Sequence, residues 1–401
     1  MSEKSSDRLN AARGMNQLTV DAVLGITNIV DSMHQTILSF GGRIGNPEQT
    51  QTSGLTGMVY WGIRTITETV GNGLDQSLSQ LGSLPIMQDG EPSSGREAVL
   101  SALNGVLGDH LQATENPLAI SMRFRQAGKT LTDAELSKLL EQSNGKLAIL
   151  IHGSCMNDLQ WNRNGHNHGK TLYRDLGYTP LYLHYNSGCH TSENGKQLAK
   201  LLESLMALST QKFDLAIVCH SMGGLVARSA CYYGEKAGHA WLSHLTKLLF
   251  LGTPHHGAPL EKGGNWIDTI LQISPYSTPF ASLGKIRSSG VTDLRYGNII
   301  DEDWENIDRF EPADDSRTPV PLPKGVACYA IAATLSQDAG AIKDGLIGDG
   351  LVTVNSALGH HHDPVRQLKF PEVHCLIIRE TNHLGLLDSL EVDKALKEWL
   401  I

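Results

Sequence analysis

Residues 213–228 read FDLAIVCHSMGGLVAR, and this stretch decides the fold. Its first part, residues 213–218, is short and mostly apolar, which is typical of a buried parallel strand. The run stops at a turn, and a helical pattern of small and apolar residues follows. Ser221 lies at the tip of that turn, so the stretch has the form of a nucleophile elbow, a tight strand-to-helix turn that presents a serine.

Such an elbow requires small residues around the serine, because the strand and the helix pass close to each other. Gly223 and Gly224 meet this requirement on the helix side. On the strand side, Cys219 stands where the G-x-S-x-G pattern has its first glycine, and we expect the turn to tolerate this small residue. The alternative interpretation is that Ser221 only caps the helix, since serine is a favoured N-cap residue.

Length and composition indicate a soluble globular protein. The chain has 401 residues, of which 40% are hydrophobic and 19% charged, enough for one large domain or two smaller ones. Its formal net charge of −9 argues against a broad nucleic-acid-binding surface, so we expect no nucleic acid partner. The N-terminus has no apolar signal-peptide region, and no run approaches the roughly 18 apolar residues of a membrane span. We therefore expect a cytoplasmic protein.

The first part of the chain has a helical character. Three regions show the apolar spacing of helices, namely residues 18–38, 54–81 and 96–111. We therefore predict a mainly helical N-terminal segment over residues 1–145. Its polar faces are poor in Lys and Arg, which favours packing against protein over lying on a membrane. A capping box of Thr132 and Glu135 predicts one more helix, which starts near Asp133 and ends near Gly145.

Strand and helix patterns alternate over residues 146–401. Besides the elbow, strands are predicted at residues 147–151, 180–184, 245–251, 326–333 and 373–379, and helices at residues 196–208 and 392–400. This alternation predicts an α/β fold in which helices cover both faces of a mainly parallel sheet. An insertion at residues 258–323 interrupts the rhythm. Because it is long and contains apolar residues such as Trp266 and Phe280, we predict that it caps the elbow.

Further residues with catalytic chemistry follow predicted strands. A serine is a weak nucleophile until a base takes its proton and a carboxylate orients that base. Asp349 in GDGLV and His383 in ETNHLGLL follow Ser221 in the order nucleophile, acid, base. The backbone N–H groups of Ser154, which follows a His-Gly turn, and Met222 are the predicted oxyanion-hole donors. Each residue alone has a plainer interpretation as a packed or turn residue, and their joint order favours catalysis.

At this point the sequence resembles a lipase/esterase-type α/β-hydrolase. The resemblance covers about residues 147–401, and it rests on LIHGS at 150–154, CHSMGG at 219–224, LGTPHHG at 251–257, GDGLV at 348–352 and NHLGLL at 382–387. The chain is similar to bacterial triacylglycerol lipases and to lipase-like deacylases of the GPI inositol deacylase type. The resemblance implies hydrolysis of small-molecule acyl esters, lipids among them, through an acyl-enzyme, with peripheral contact with lipid as an option. It also implies that Ser221, Asp349 and His383 form the triad.

Asp344 in KDGLI competes with Asp349 for the role of the acid, since both precede Gly-Leu. Asp349 is favoured because its motif matches the acid-bearing D-G-L-V of the lipases that the chain resembles. Val352 and Val354 can also anchor its loop, whereas Asp344 follows Lys343, a ready surface partner. We therefore assign the acid to Asp349.

Metal and cysteine chemistry are the competing interpretations. Histidines recur in NGHNHG, TPHHG and GHHHD, and neutral imidazole is a common metal ligand. Consecutive histidines rarely converge on one ion, however, and no ligand set can be traced, so we expect no metal and no cofactor. Cys219 is disfavoured as a nucleophile because it falls at a buried strand end.

Two other functions remain open on this fold. One is a catalytically silent protein that binds lipid or serves as a scaffold, because a fold alone does not establish chemistry. The other is an acyltransferase or amidase that uses the same triad. Labelling by a serine-directed probe and turnover of simple esters separate these alternatives from an esterase.

Overall fold

The computed structural model describes Gly14, Gln17 and residues 94–258, 288–305, 307, 315–337 and 348–401. The helical patterns predicted at residues 18–38 and 54–81 lie outside the described residues. The same holds for Asp344 and for residues 259–287 of the predicted cap, which include Trp266 and Phe280.

The described residues form an eight-stranded sheet. Its strands are β1 (Arg123–Gln126), β2 (Lys129–Thr130), β3 (Lys146–Ile151), β4 (Thr179–His184), β5 (Asp214–His220), β6 (Leu245–Leu251), β7 (Ala327–Ala333) and β8 (Cys375–Ile378). The strand order is β2-β1-β4-β3-β5-β6-β7-β8. Neighbours from β4 to β8 pair in parallel, and only β1 pairs antiparallel, with β2 and with β4. The prediction of a mainly parallel sheet is confirmed.

The elbow strand β5 lies between β3 and β6. Its partner residues at the carboxyl end are Ile151 of β3, opposite Cys219, and Leu251 of β6, opposite His220. The carboxyl ends of the three strands therefore lie at the same edge, and Ser221 follows β5 at this edge. The strand extends two residues beyond the predicted end at 218, because His220 still pairs with β6.

Helices cover both faces of the sheet. They are α1 (Ser94–Ala113), α2 (Asp133–Gln142), α3 (His168–Leu176), α4 (Thr191–Ala207), α5 (Met222–Ala237), α6 (Ser289–Asp293), α7 (Val354–Ala357) and α8 (Leu390–Leu400). Alternate residues of β5 enter different buried clusters, as the two-residue period of a strand requires. Leu215 and Ile217 pack with residues of α4 and α5, while Ala216 and Val218 pack with residues of α3 and α8.

The starts of α2 and α4 show where the local sequence is enough to predict a helix boundary and where it is not. The predicted capping box at the start of α2 is present, with the Thr132 hydroxyl accepting from the Glu135 N–H and the Glu135 carboxylate accepting from the Thr132 N–H. The helix ends at Gln142 rather than near Gly145. By contrast, α4 begins at Thr191, a full turn before the predicted start at 196, because the distant Asp293 carboxylate accepts the Thr191 N–H at 2.7 Å.

The chain divides into two compact units, Met1–Glu91 with Ala113–Leu118 and Pro92–Gln112 with Ala119–Ile401. The whole sheet lies in the second unit, which also contains α2. The division into a helical segment at 1–145 and a catalytic domain at 146–401 stays a prediction. Within the described parts of the chain, none of the helices combines the length and the apolar composition that crossing a membrane requires.

Candidate active site

Ser221 occupies a strained turn between β5 and α5. Its backbone angles are φ 55° and ψ −128°, a region that residues with a side chain rarely adopt and that costs on the order of 1–3 kcal/mol. The turn is held by two main-chain hydrogen bonds, from the Ser221 N–H to the Leu251 oxygen at 2.8 Å and from the Gly224 N–H to the Ser221 oxygen at 3.0 Å. Observed strain of this kind is typical of functional turns.

The Ser221 hydroxyl is buried and does not cap the helix that follows it. Within the described part of the chain it has no hydrogen-bond partner. Burial without a partner is costly for a hydroxyl group, so a residue in this state needs an explanation. The helix-capping interpretation of Ser221 does not supply one.

The elbow is as crowded as the sequence predicts. A Cβ atom at position 223 would lie 2.6 Å from the main-chain oxygens of Ile151 and His152, and one at position 224 would collide with the Thr253 side chain. Only glycine therefore fits at either position without a shift of the backbone or its neighbours. Cys219 is fully buried in the core on the α4 and α5 face, and burial raises the pKa of its thiol well above the usual value. The residue thus packs as an apolar side chain and is unsuited to act as a nucleophile.

His383 and Asp349 form a buried pair. The Nδ1 atom of His383 donates to Oδ2 of Asp349 at 2.7 Å, and the His383 N–H donates to the Asp349 main-chain oxygen at 3.1 Å. The other carboxylate oxygen, Oδ1, accepts the N–H groups of Leu351 at 3.0 Å and Val352 at 2.8 Å. The carboxylate is thus fixed by its own loop. Because Nδ1 carries the proton, the Nε2 atom of a neutral His383 carries the lone pair that a general base needs.

The imidazole of His383 lies over the end of β6, next to the elbow. A Cβ atom at Gly252, the residue after β6, would lie 3.1 Å from Cε1 of His383. Gly252 has φ 60°, so glycine is favoured there for its backbone as well as for this close contact. Gly252 directly follows Leu251, whose main-chain oxygen accepts a hydrogen bond from the Ser221 N–H. The structure therefore brings Ser221, Asp349 and His383 together at one edge of the sheet.

His220 is a residue of this site that the sequence did not reveal. It is fully buried, and its Nε2 atom donates to the His383 main-chain oxygen at 3.1 Å. The two rings are 4.8 Å apart, and burial lowers the pKa of His220 well below its usual value, so the ring is neutral. In the sequence, His220 is only the residue between Cys219 and Ser221, a position to which the G-x-S-x-G pattern assigns no residue type. Its partner, His383, lies 163 residues later in the chain.

The two predicted oxyanion-hole donors both lie close to Ser221. Met222 is the first residue of α5, where N–H groups have no acceptor within the helix and the helix end is partially positive. Ser154 is buried and follows Gly153, and a Cβ atom at Gly153 would lie 3.0 Å from Cβ of Ser221. The next amide along, that of Cys155, already donates to the Ser187 hydroxyl at 3.0 Å. The Ser154 amide is therefore the better candidate for the second donor.

The turn that carries Ser154 is braced by aromatic contacts. The His152 ring stacks on Tyr185 with 4.4 Å between ring centroids, and the Tyr185 hydroxyl donates to the His152 main-chain oxygen at 2.9 Å. His152 in turn donates from Nδ1 to the Gly153 oxygen at 2.8 Å. Burial lowers the pKa of His152 to about 4, so this ring is neutral near pH 7. It serves to fix the turn.

The described part of the insertion lies beside the elbow. A Cβ atom at Gly290 of α6 would lie 3.0 Å from Cε of Met222. The Gly290 N–H also donates to the Gly188 oxygen at 3.0 Å, and Asp293 contacts Nδ1 of His190 at 3.1 Å. This part of the insertion therefore packs on the loop before α4 and reaches the residue that follows Ser221.

The histidine-rich stretches of the sequence differ in the contacts that their side chains make. His255 and His256 make different contacts, since Nε2 of His256 donates to the Gly359 oxygen and His255 packs against Phe250. Among the described residues, one group of three side chains could hold a metal ion, namely His166, His168 and Asp393. None of the three belongs to the predicted triad.

A serine elbow after the central strand of a mainly parallel sheet, with helices on both faces, defines the fold of lipase/esterase-type α/β-hydrolases. The resemblance seen in the sequence is confirmed. Residues 142–319 match the model of a family described as PGAP1-like alpha/beta domain. This match includes Ser221, whereas Asp349 and His383 lie beyond it.

Solved structures of lipases and esterases are also similar, at low identity. The mature lipase BlEst2 of Bacillus licheniformis is 17% identical, with 64% of this chain and 93% of that chain covered and a TM-score of 0.43. Lipase B of Aspergillus fumigatus is 12% identical, with 68% and 54% covered and a TM-score of 0.38. A metagenomic carboxyl esterase is 13% identical, with 81% and 99% covered and a TM-score of 0.39. A comparison with curated proteins found no match.

Proposed function

We propose that this protein is a serine hydrolase that cleaves carboxylic acyl esters through an acyl-enzyme. The observation that carries the proposal is the strained Ser221, whose hydroxyl has no partner among the described residues, at the same sheet edge as the buried His383–Asp349 pair, whose Nδ1–Oδ2 distance is 2.7 Å. A structural role alone explains neither the backbone strain nor the burial of a hydroxyl without a partner.

In the first half of the reaction, Nε2 of His383 takes the Ser221 proton while Oγ attacks the ester carbonyl carbon. The carbonyl oxygen becomes an oxyanion, which the N–H groups of Met222 and Ser154 stabilise. Asp349 holds the imidazole in the required tautomer and stabilises its positive charge. His383 then gives the proton to the leaving alcohol oxygen as the C–O bond breaks, which leaves the acyl group on Ser221.

In the second half, a water molecule replaces the alcohol. His383 takes one of its protons while the water oxygen attacks the acyl carbon, and the same two N–H groups stabilise the second oxyanion. The bond to Ser221 Oγ then breaks, Oγ takes the proton back from His383, and the carboxylic acid leaves. The enzyme returns to its starting state, and the net reaction consumes one ester and one water.

The proposed substrates are esters with an apolar acyl chain. We extend the proposal in this direction because the insertion packs beside Met222 and because its sequence over residues 259–287 is rich in aromatic and branched apolar residues. An apolar cap would form the wall of an acyl pocket and limit access of water. Contact with a lipid surface would follow if the natural substrate is a lipid.

A fluorophosphonate probe combined with a panel of p-nitrophenyl esters tests the proposal. We expect stoichiometric labelling of Ser221 and turnover of the esters. In Ser221→Ala, kcat should be lower by about three or more orders of magnitude. Ser229→Ala, which changes another buried serine without a partner among the described residues, is the matched control and should keep its activity.

Each of the other outcomes supports a different function. No labelling of the folded protein would support the catalytically silent alternative. Labelling without ester turnover would support an acyltransferase or an amidase. A folded Ser221→Ala protein with the activity of the unchanged protein would refute the triad.

A further inference from the structure

Three side chains converge between α3 and α8, on the opposite face of the sheet from α4 and α5. His166 precedes α3, His168 is its first residue, and Asp393 lies in the first turn of α8. Nε2 of His166 and Nδ1 of His168 are 3.0 Å apart, and each lies 3.6 Å from Oδ1 of Asp393. The side chains are 14%, 0% and 9% exposed, so this is a built, mostly buried cluster rather than a surface grouping.

The three ligand atoms have the spacing of one face of a coordination tetrahedron. Zn²⁺ binds His nitrogen and carboxylate oxygen at about 2.0–2.2 Å, which puts neighbouring ligand atoms of a tetrahedral site about 3.3–3.5 Å apart. Of the three distances in the cluster, the one of 3.0 Å is shorter than this range and the two of 3.6 Å are longer. We propose that His166, His168 and Asp393 bind one Zn²⁺ ion, with a water molecule as the fourth ligand.

The hydrogen bonds of His168 fix the tautomer that a ligand needs. Its Nε2 atom donates to the Leu386 main-chain oxygen at 2.9 Å, so Nδ1 of the neutral ring carries the lone pair that faces the cluster. A backbone oxygen on the far nitrogen is the usual outer contact of a metal-bound histidine. Without an ion, the His166 N–H donates to His168 Nδ1. On binding, His166 moves its proton to Nδ1, and Nε2 becomes the second nitrogen ligand.

Lys397 is the cation that already contacts Asp393, and it uses the other carboxylate oxygen. Its Nζ atom lies 2.6 Å from Oδ2 of Asp393, whereas both histidines face Oδ1. Lys397 also pairs with Asp175 at 2.5 Å, so its charge has a second carboxylate partner. The Thr171 hydroxyl donates to Oδ1 and can remain as a support of the ligating oxygen. The positive charge of Lys397 therefore does not occupy the position of the ion.

The site would act as a structural brace. It joins α3 to α8, and through the His168–Leu386 hydrogen bond it also holds the short 3-10 helix His383–Leu387, which begins at the proposed catalytic base. No ligand belongs to the triad. Loss of the ion should therefore reduce the stability of the fold, whereas the chemistry of ester cleavage does not require the ion.

Metal titration of the chelator-treated full-length protein tests the site with Zn²⁺ alone as the probe. We expect saturable uptake of about one ion per chain and a rise of the thermal unfolding midpoint by about 4 °C or more at saturation. In His166→Gln the affinity should fall by at least about tenfold, and the midpoint should no longer respond to zinc. His239→Gln, which changes a half-buried histidine outside the cluster, is the matched control and should behave as the unchanged protein.

A second measurement, with Co²⁺ in place of Zn²⁺, reports the coordination geometry of the bound ion. Co²⁺ in a tetrahedral site absorbs visible light much more strongly than octahedral Co²⁺, so the unchanged protein should give an intense spectrum that Asp393→Asn weakens. Initial rates of ester cleavage should be unchanged by EDTA, while inactivation on heating should be faster. The proposal is overturned by absence of saturable zinc uptake, by equal uptake in His166→Gln, or by the weak spectrum of octahedral cobalt.

Discussion

His220 donates a hydrogen bond from Nε2 to the main-chain oxygen of His383 at 3.1 Å. The residue directly before the proposed nucleophile thus holds the loop of the proposed base. This contact fixes the backbone of His383, while Asp349 fixes its imidazole. Because the contact reaches the main chain, it is independent of the protonation state of the His383 ring.

His220 should therefore behave as a positioning residue. His220→Leu removes the hydrogen bond to the His383 main-chain oxygen, which should loosen the loop of the base and lower kcat about tenfold with little change in KM. His220→Gln can still donate an N–H to His383 and should recover most of kcat. Steady-state kinetics on one p-nitrophenyl ester measure both variants. Equal kcat in Leu and Gln variants, or a loss confined to KM, would show that the hydrogen bond does not position the base.

The choice between two carboxylates gives the next prediction. Asp349→Asn should keep the loop folded, because the remaining side-chain oxygen can still accept the Leu351 and Val352 N–H groups. Its amide would instead favour the wrong tautomer of His383, so kcat should fall by about four orders of magnitude. Asp344→Asn is the matched control and should be nearly neutral. The reverse pattern of activities would move the acid to Asp344 and leave the Ser221–His383 pair in place.

The sequence predicts this protein best where its signals are local. The elbow, the Thr132 capping box and the apolar strands β3 and β6 each follow from a few adjacent residues and are present in the structure. The antiparallel pair β1 and β2 was missed, since its strands are short and polar. Buried Arg125 of β1 is compensated by Glu97 at 2.7 Å and Asp158 at 3.0 Å. No local pattern encodes such a set of partners.

The same limit applies to the site. The order of Ser221, Asp349 and His383 is visible because each follows a strand, and parallel strands end at one edge. The side chains of His166, His168 and Asp393 come together only because α3 and α8 cover the same face of the sheet. The sequence shows only groups of histidines that are close together in the chain. The cluster instead combines two such histidines with a carboxylate from the last helix. The grouping of these three side chains is therefore a result of tertiary packing, which the spacing of residues in the sequence does not predict.

Stability should fall in mild acid because buried neutral histidines resist protonation. Burial, with a smaller contribution from the positive charge of Arg125, lowers the pKa of His152 to about 4, whereas the unfolded chain has the ordinary value near 6.5. Between these values the unfolded state binds more protons, so stability is complete above about pH 6.5 and is lost as the pH falls towards 4. The loss amounts to roughly 1.4 kcal/mol per pH unit for this residue.

Denaturant unfolding between pH 7.5 and pH 5 measures this effect. His152→Asn can keep the donor to the Gly153 oxygen but cannot titrate, so its dependence on pH should be smaller by about one proton. A residual slope should remain, because burial also lowers the pKa values of His184, His220 and His255. Identical slopes for the unchanged protein and His152→Asn would contradict the assignment of this titration.

The last prediction concerns the insertion between β6 and β7. Its described part reaches Met222 through Gly290, and we propose that residues 258–323 cap the site and line an acyl pocket. Phe280→Ala and Trp266→Ala should then shift the preference among p-nitrophenyl esters of different chain length, with little effect on stability. Trp304 provides the contrast, since it stacks on His190 at 3.7 Å and donates to the Ser192 hydroxyl at the start of α4. Trp304→Ala should lower the unfolding midpoint and leave the chain-length preference unchanged, because its contacts hold the insertion on the body. An unchanged ester profile in both Phe280→Ala and Trp266→Ala would remove the acyl pocket from the insertion.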